Sequence, residues 1–427
     1  MTIVLLFVLF AGLVAIEVPV GFAMALAAIG VILVDQPVPT TIVVQRMASG
    51  LDSFPILAIP LFILAGHLLN RAGIAARIFE FASALVGHIR GGLAHVNVVA
   101  SMIFAGMSGV AQADAAGLGV IEVKAMKKEG FPVAFAAAVS AASAIIGPII
   151  PPSVIMVIYA VTVQVSVGDL FLAGILPGVL MGFMLMAMIY IMVLTGYVPA
   201  PRQPRATLPQ LGRAFWRAIP ALMAPILLTA GILAGVATPT ELGAVTVVYA
   251  IALGFLQREL TLADIVEALT ETLITYGVLV FIISAAVPFG WLVAVTDMPT
   301  RLAEFMFSLT DNKYLILALI NVMLLVVGCF METTAILLIA TPTLFPLIKA
   351  LGIDPVHFGI ILIVNLLIGT LTPPFGVILF IMMDIAKISF GQMVRAVLPF
   401  YVPLFLTLLL ITYWPDFVLF VPRFFAG

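Results

Sequence analysis

The sequence predicts an all-α, polytopic membrane protein. Hydrophobic residues occupy 64% of its 427 positions and charged residues only 9%, and the mean hydropathy is +1.31. Because a soluble domain carries about 25% charged residues, this composition excludes that class. Apolar stretches close to the ~20 residues that cross a bilayer as a helix recur from end to end. We therefore expect residues 1–427 to form a single membrane domain.

A pattern of helix-breaking residues repeats in this chain at a constant offset. Gly147-x-x-x-Pro151-Pro152 returns 222 residues later as Gly369-x-x-x-Pro373-Pro374, and Gly106 returns as Gly328. Two adjacent prolines leave no continuous helix, and the backbone groups that they free must be satisfied by protein or by a polar cavity. A single break of this kind is often a simple kink between packed helices. A duplicated pair instead favours inverted repeats with a binding site at the breaks.

The first repeat, residues 1–197, opens with short spans and an interfacial segment. A secretory signal would carry Lys or Arg before its apolar run, and neither precedes the apolar residues 2–16. We therefore interpret these residues as a first helix. Charged residues make the segment after the third span amphipathic, which is typical of a helix lying along the interface. In order, these elements are spans at 2–17, 20–34 and about 54–70, and the amphipathic segment at 71–90.

Residues 93–126 predict a re-entrant hairpin. Two apolar arms flank the small-residue centre Gly106–Asp114. Each arm has about 13 residues, which is roughly 20 Å of helix and too short for a hydrocarbon core of about 30 Å. The crossing at 131–164 is then broken at residues 147–152, and a long span follows at 169–197.

The second repeat, residues 219–427, follows a proline- and arginine-rich linker at 198–218 that we expect to be cytoplasmic. Its elements repeat the order of the first repeat, including a second hairpin and a second broken crossing. They are spans at 219–237 and 241–257, an interfacial segment at 258–270, a span at 272–296, an arm at 299–310, the hairpin at 314–350, the broken crossing at 356–387 and a last span near 397–414.

The distribution of Lys and Arg predicts the topology. With both termini outside, the segments 71–90, 124–128, 202–217 and 387–395, together with Arg258, fall on one side and hold thirteen of the 18 basic residues. The positive-inside rule makes that side the cytoplasm. The two hairpins then enter from opposite faces, so the repeats are inverted.

The broken elements predict what the protein binds. A helix that stops at mid-membrane presents carbonyls that suit a hard cation such as Na⁺, and a helix that restarts there offers amides and a positive dipole end that suit a carboxylate. Each hairpin tip, at 106–112 and 328–334, is expected to face its own break. Four hydroxyl groups are candidates to add oxygen ligands, those of Ser108, Thr333, Thr334 and Thr372.

Two acidic residues in or beside the tips leave two interpretations open. Asp114 and Glu332 lie at predicted membrane depth, where an ionisable group indicates function. Either residue could instead cap a hairpin helix. Glu241, in Ala237-Thr-Pro-Thr-Glu241, is expected to cap a helix, and we interpret His67 and His95 as ordinary interfacial residues.

Several functional classes find no support in the sequence. The net charge of −2 gives no reason to expect a nucleic-acid partner, and the four histidines are scattered without ligand spacing. No organic cofactor is expected, Cys329 cannot form an internal disulfide, and no catalytic constellation predicts an enzyme.

Four motifs occur in order along the chain, namely Phe104-Ala-Gly-Met-Ser-Gly-Val-Ala-Gln-Ala-Asp114, Gly147-Pro-Ile-Ile-Pro-Pro-Ser153, Ala237-Thr-Pro-Thr-Glu241 and Gly369-Thr-Leu-Thr-Pro-Pro-Phe-Gly376. Together they resemble those of the large membrane (M) subunit of tripartite ATP-independent periplasmic (TRAP) transporters. The resemblance covers essentially the whole chain. It implies the fold of the elevator-type ion transporter superfamily and Na⁺-driven import of an organic anion across the bacterial inner membrane.

The resemblance also implies partners and site residues. The partners are a small four-helix membrane (Q) subunit, a periplasmic substrate-binding (P) protein that hands over the ligand, and the surrounding lipid. The expected sites are as follows: the first Na⁺ site has Ser108, Gly109, Gly147, Ile149 and Pro152; the second has Gly328, Thr333, Gly369, Thr372 and Phe375; the substrate site has Asp114, Ser153, Glu332, Thr334 and Pro374.

Two positions depart from the pattern of the family. Val110 stands where many members carry a second serine, so an ion contact there would use the backbone. Trp291 stands near a position where members that take sialic acid often have Arg, which argues against that substrate. The alternative function is a stand-alone cation-coupled carboxylate transporter that needs no binding protein.

Overall fold

The computed structural model describes residues 2–35, 38–199, 201 and 203–426, and over these residues the protein is helical and has no β-strand. A short 3-10 turn, Phe54–Leu57, precedes the fourth helix. The helices of the first half are α1 (Thr2–Ala15), α2 (Val20–Asp35), α3 (Thr41–Ser49), α4 (Ala58–Arg71), α5 (Ile74–Val86), α6 (Gly92–Ser108), α7 (Ala111–Lys128), α8 (Val133–Ala144), α9 (Val154–Val163) and α10 (Val167–Leu194).

The second half continues the same architecture. Its helices are α11 (Leu208–Leu233), α12 (Pro239–Leu256), α13 (Leu262–Val295), α14 (Met298–Leu309), α15 (Lys313–Gly328), α16 (Thr333–Ala350), α17 (Pro355–Gly369), α18 (Val377–Ala386), α19 (Phe390–Tyr413), α20 (Pro415–Val418) and α21 (Phe420–Ala426).

Both hairpins and both breaks appear as the repeat predicts. The helix pairs α6–α7 and α15–α16 form the hairpins, and the pairs α8–α9 and α17–α18 form crossings interrupted at residues 145–153 and 370–376. Among the described residues, 7 helices are long and apolar enough to span a membrane. The predicted fold class, an all-α polytopic protein with hairpins and broken helices, is confirmed.

The structure corrects two details of the second half. The interfacial segment predicted at 258–270 and the span predicted at 272–296 form one helix, α13, because Thr261 and Asp264 make a capping box at its start and no proline follows before Pro288. Helix α11 likewise begins at Leu208, within the segment predicted as a linker. Thr207 and Gln210 form its capping box.

The hairpins and breaks lie against other helices, among them α2, α4, α12 and α13, which we call the frame. Helix α4 packs on α12 and α13, and α13 also contacts α2 and α16. In the first repeat α7 packs on α8, while in the second α15 packs on α17. Helix α18 lies on both α7 and α8, so elements of the two repeats meet beside the first hairpin.

Candidate functional site

The tip of the first hairpin lies directly on the first break. We call this contact, between residues 106–112 and 145–153, the first junction. The amide of Val154 donates to the carbonyl of Gly109 at 3.4 Å. Gly109 ends α6 in a left-handed conformation with φ of 62°, and a Cβ there would lie 2.6 Å from the Pro152 carbonyl oxygen. Only glycine therefore allows this approach.

The second junction, between residues 328–334 and 369–376, has the same design. The amide of Phe375 donates to the carbonyl of Cys329 at 3.2 Å. A Cβ on Gly369 would lie 2.9 Å from the backbone of Gly328, so the two backbones touch. Both breaks contain a cis peptide bond, Pro151–Pro152 in the first and Pro373–Pro374 in the second.

Side chains within the breaks hold the interrupted backbone in place. Ser153 Oγ donates to the Pro148 carbonyl at 2.5 Å and accepts from the Met156 amide at 3.3 Å, so Ser153 caps α9. In the second break, Thr372 Oγ1 donates to the Ile368 carbonyl at 2.8 Å. This bond uses the hydroxyl proton of Thr372 and leaves lone pairs that suit a cation.

Asp114 lies next to the first junction, against Gly147. It lies in the first turn of α7 and is 2% exposed. A Cβ on Gly147 would collide with the Asp114 carboxylate, which shows how closely the two residues approach. The absence of a side chain at Gly147 therefore makes room for this acid.

Glu332 has a structural role that the sequence left open. Its Oε2 accepts from the Ala335 amide at 3.0 Å, and its Oε1 accepts from Thr334 Oγ1 at 2.9 Å. Glu332 thus caps α16, as the alternative interpretation proposed. It also lines the cavity between the junctions.

A cavity of about 250 Å³ lies between the two tips. The helices α7 and α16, which are the second arms of the two hairpins, both begin at its wall, at Ala111 and Thr333. Four residues predicted as ligands line it, namely Gly109, Glu332, Thr333 and Thr334. Lys and Arg do not occur among the described residues that line it.

The other predicted site residues occupy different places. Ile149 packs its carbonyl against Gly174 of α10. Pro374 is exposed, and Phe375 is 60% exposed and packs on Phe330 with ring centroids 6.3 Å apart. The side chain of Ser108, at the end of α6, lies outside the described residues.

Three polar residues of the cavity wall were missed by the sequence analysis. Gln112 and Thr370 lie in the first tip and the second break, and Thr275 comes from α13. Thr275 belongs to neither repeat motif and reaches the cavity only through tertiary packing. A lone threonine in an apolar helix gives no signal of such a position.

Two further cavities flank the central one. A cavity of about 460 Å³, lined in part by His67 and Asn70, shares Val110, Gln112 and Thr275 with it. A cavity of about 580 Å³, bounded by residues of α3, α9, α13 and α16, shares none of its lining. The central cavity thus adjoins the cavity of about 460 Å³.

Both histidines interpreted as interfacial have polar partners. His67 Nδ1 lies 3.3 Å from Glu271 Oε2 of α13. His95 is buried, and its Nε2 lies 3.2 Å from the Arg90 carbonyl. Glu241 caps α12 in a capping box with Thr238, as expected.

The family profile of the tripartite ATP-independent periplasmic transporter, DctM component, matches residues 7–417. The chain belongs to this family. The sialic acid TRAP transporter large permease protein SiaM of Vibrio cholerae is 43% identical, with 97% of each chain covered. The C4-dicarboxylate TRAP transporter large permease protein DctM of Pseudomonas aeruginosa is 37% identical, with 99% of each chain covered. The resemblance inferred from the four motifs is confirmed, and the chain is a transporter permease and not an enzyme.

The fold is also similar to that of a solved transporter. The crystal structure of the YdaH transporter from Alcanivorax borkumensis aligns with a TM-score of 0.62 over 88% of each chain, at 14% sequence identity. At this level of identity the likeness concerns the fold alone.

Proposed function

We propose that this TRAP large permease imports an organic anion across the inner membrane by symport with Na⁺. The observation that carries the proposal is the convergence of two helix N-termini, those of α7 and α16, on one cavity between the junctions. A helix N-terminus carries a partial positive charge and free amides, which suit a carboxylate. The cavity therefore suits an anion although none of the described residues that line it is basic.

The junctions support the cation part of the proposal. At each one a helix ends at a hairpin tip, α6 at Ser108 and α15 at Gly328, so its last carbonyls have no partner within that helix. A break of irregular backbone lies against each tip. Carbonyl oxygens collected in this way suit Na⁺, with Gly109, Gly147 and Pro152 at the first junction and Gly369 and Thr372 at the second.

Movement of the hairpins relative to the frame would give alternating access. The cavities of about 460 and 580 Å³ lie between hairpin or break elements and frame helices such as α4 and α13. We propose an elevator mechanism in which residues 93–164 and 314–387 move past the frame, with both termini periplasmic. If each transport cycle carries one net positive charge inward, the membrane potential contributes about 2.3 kcal/mol per 100 mV to the free energy that drives uptake.

The proposed partners follow from membership of the family. They are a small four-helix membrane (Q) subunit and a periplasmic binding (P) protein that delivers the anion. Relatives are named for sialic acid and for C4-dicarboxylates, which supports a carboxylate as the anion of this chain.

Reconstitution into proteoliposomes tests this function. The permease with its small subunit is assayed for anion uptake with and without the proposed binding protein. Uptake that needs both the binding protein and an inward Na⁺ gradient is expected. Uptake without the binding protein would support the stand-alone carboxylate transporter, and undiminished uptake on a proton gradient without Na⁺ would refute Na⁺ coupling.

A further inference from the structure

A buried polar cluster lies between the first hairpin and helix α8 of the first broken crossing, away from the cavity wall. Its five members come from α6, α7 and α8, and each is at most 2% exposed. Ser143 Oγ donates to Asn97 Oδ1 at 2.8 Å, and Asn97 Nδ2 donates to Ser140 Oγ at 2.6 Å. Ser101 Oγ donates to Ser143 Oγ at 2.9 Å. The fifth member is Glu122 of α7.

Glu122 is the member that these hydrogen bonds do not explain. It is 1% exposed, and among the described residues its Oε1 is buried with no hydrogen-bond partner. The ion pairs of the described residues all lie elsewhere, so no basic side chain among these residues would compensate a charge on Glu122. Asp114, a second buried carboxyl, adds a like charge that acts on it. A buried carboxylate without a counter-charge costs several kcal/mol.

The second repeat shows that the link between hairpin and crossing does not need an acid. Asn365 stands 222 residues after Ser143. Its Nδ2 donates to Asn321 Oδ1 of α15 at 2.9 Å, and Asn321 Nδ2 donates to Thr412 Oγ1 at 3.0 Å. Neutral side chains thus join α15 to α17 where the first repeat joins α6 to α8. Both repeats thus join these helices through neutral polar side chains, and among the described residues only the first repeat adds a carboxyl, that of Glu122.

We propose that the cluster of Asn97, Ser101, Ser140, Ser143 and Glu122 is a third Na⁺ site, separate from both junctions. Ser140, Ser101 and Asn97 are hydrogen-bonding neighbours of the Glu122 carboxyl, although its Oε1 has no partner among the described residues. Hydroxyl, amide and carboxylate oxygens are the ligands of hard cations, and a single carboxylate balances a single positive charge. The bound ion neutralises Glu122 inside the part of the protein that is proposed to move.

Equilibrium binding of radiolabelled Na⁺ to the purified permease tests this inference without requiring transport. Glu122→Gln keeps the shape of the side chain and removes its charge, and it is expected to bind one Na⁺ fewer than the wild type at saturation. Asn365→Ser, which gives the second repeat the residue of the first, is the matched control and is expected to bind the wild-type number. A wild-type number in Glu122→Gln would overturn the inference and leave the carboxyl protonated or purely structural.

Two additions keep the test decisive. If Glu122→Gln does not fold, Ser140→Ala serves instead, and the Na⁺ concentration for half-saturation of one site should rise about tenfold, as for loss of a metal-site contact. Unchanged binding by that variant would contradict the inference. The third site extends the proposed Na⁺ coupling. Wild-type protein that binds no Na⁺ would refute both the proposed Na⁺ coupling and the third site. Normal Na⁺ binding by the wild type, with the same number of ions bound by Glu122→Gln, would refute the third site alone.

Discussion

Gly369→Ala perturbs the second junction with a single methyl group. The added Cβ would lie 2.9 Å from the carbonyl carbon, the Cα and the carbonyl oxygen of Gly328. Carbon atoms pack at about 3.5–4.0 Å, so tip and break must separate by roughly 0.5–1 Å. No side-chain rotation can relieve the contact because both partners are backbone.

The expected size of the effect follows from this geometry. Overpacking of this kind typically costs about 1–3 kcal/mol. If the separation removes that much from Na⁺ binding, the affinity falls by at least about fivefold, since 1.4 kcal/mol corresponds to tenfold. The hydrogen bond from Phe375 to Cys329, 3.2 Å long, should weaken as well.

The assay is Na⁺-dependent uptake in proteoliposomes that contain the partner proteins, with the Na⁺ concentration varied at fixed anion. Gly369→Ala should raise the half-saturating Na⁺ concentration. Gly391→Ala is the control, because a Cβ at this exposed position of α19 meets nothing within 4 Å. A folded Gly369→Ala protein with a wild-type Na⁺ dependence would refute the assignment of a cation to this junction.

Three further substitutions have defined expectations. Thr372→Val removes a hydroxyl and keeps the shape, so the half-saturating Na⁺ concentration should rise by about tenfold, and an unchanged value would exclude Thr372 as a ligand. Tyr401→Phe removes the hydroxyl that donates to the Leu371 carbonyl at 2.6 Å, and the free energy of unfolding in detergent should fall by about 0.5–1.5 kcal/mol. Arg71→Gln breaks partly exposed ion pairs with Glu267 and Glu271, at 2.7 and 2.8 Å, and thermal unfolding should detect a loss of at most about 1 kcal/mol. A larger loss would show that these pairs are effectively buried.

The breaks could be predicted from the sequence because proline and glycine act locally. Pro151–Pro152 and Pro373–Pro374 interrupt any helix irrespective of the surrounding fold, and their common offset identified the repeat. The first hairpin was predicted from apolar arms around the small-residue centre Gly106–Asp114, and its helices α6 and α7, with 17 and 18 residues, are longer than the predicted arms. The continuity of α13 did not, because the charged residues near Glu267 resemble an interfacial segment and the capping box at Thr261 was not recognised.

The wall of the cavity was less predictable because it depends on packing. Thr275 reaches it from a helix that carries no motif. The pairing of Ser143 with Asn97, and of Asn365 with Asn321, was also missed, although Ser143 and Asn365 share the offset of the repeat. Their residue types differ, so a search for identical residues does not find them. Ser143 and Asn365 are both polar, and this shared polarity at equivalent positions of the two repeats was the signal that the sequence offered.

The most direct test of the central claim is to determine the structure of this permease at high resolution in NaCl and again in KCl. The account predicts density for an ion at each junction in NaCl, one beside Gly109 and Pro152 and the other beside Gly369 and Thr372, and loss of both features in KCl. Identical maps in the two salts, with no density between either tip and its break, would contradict the account.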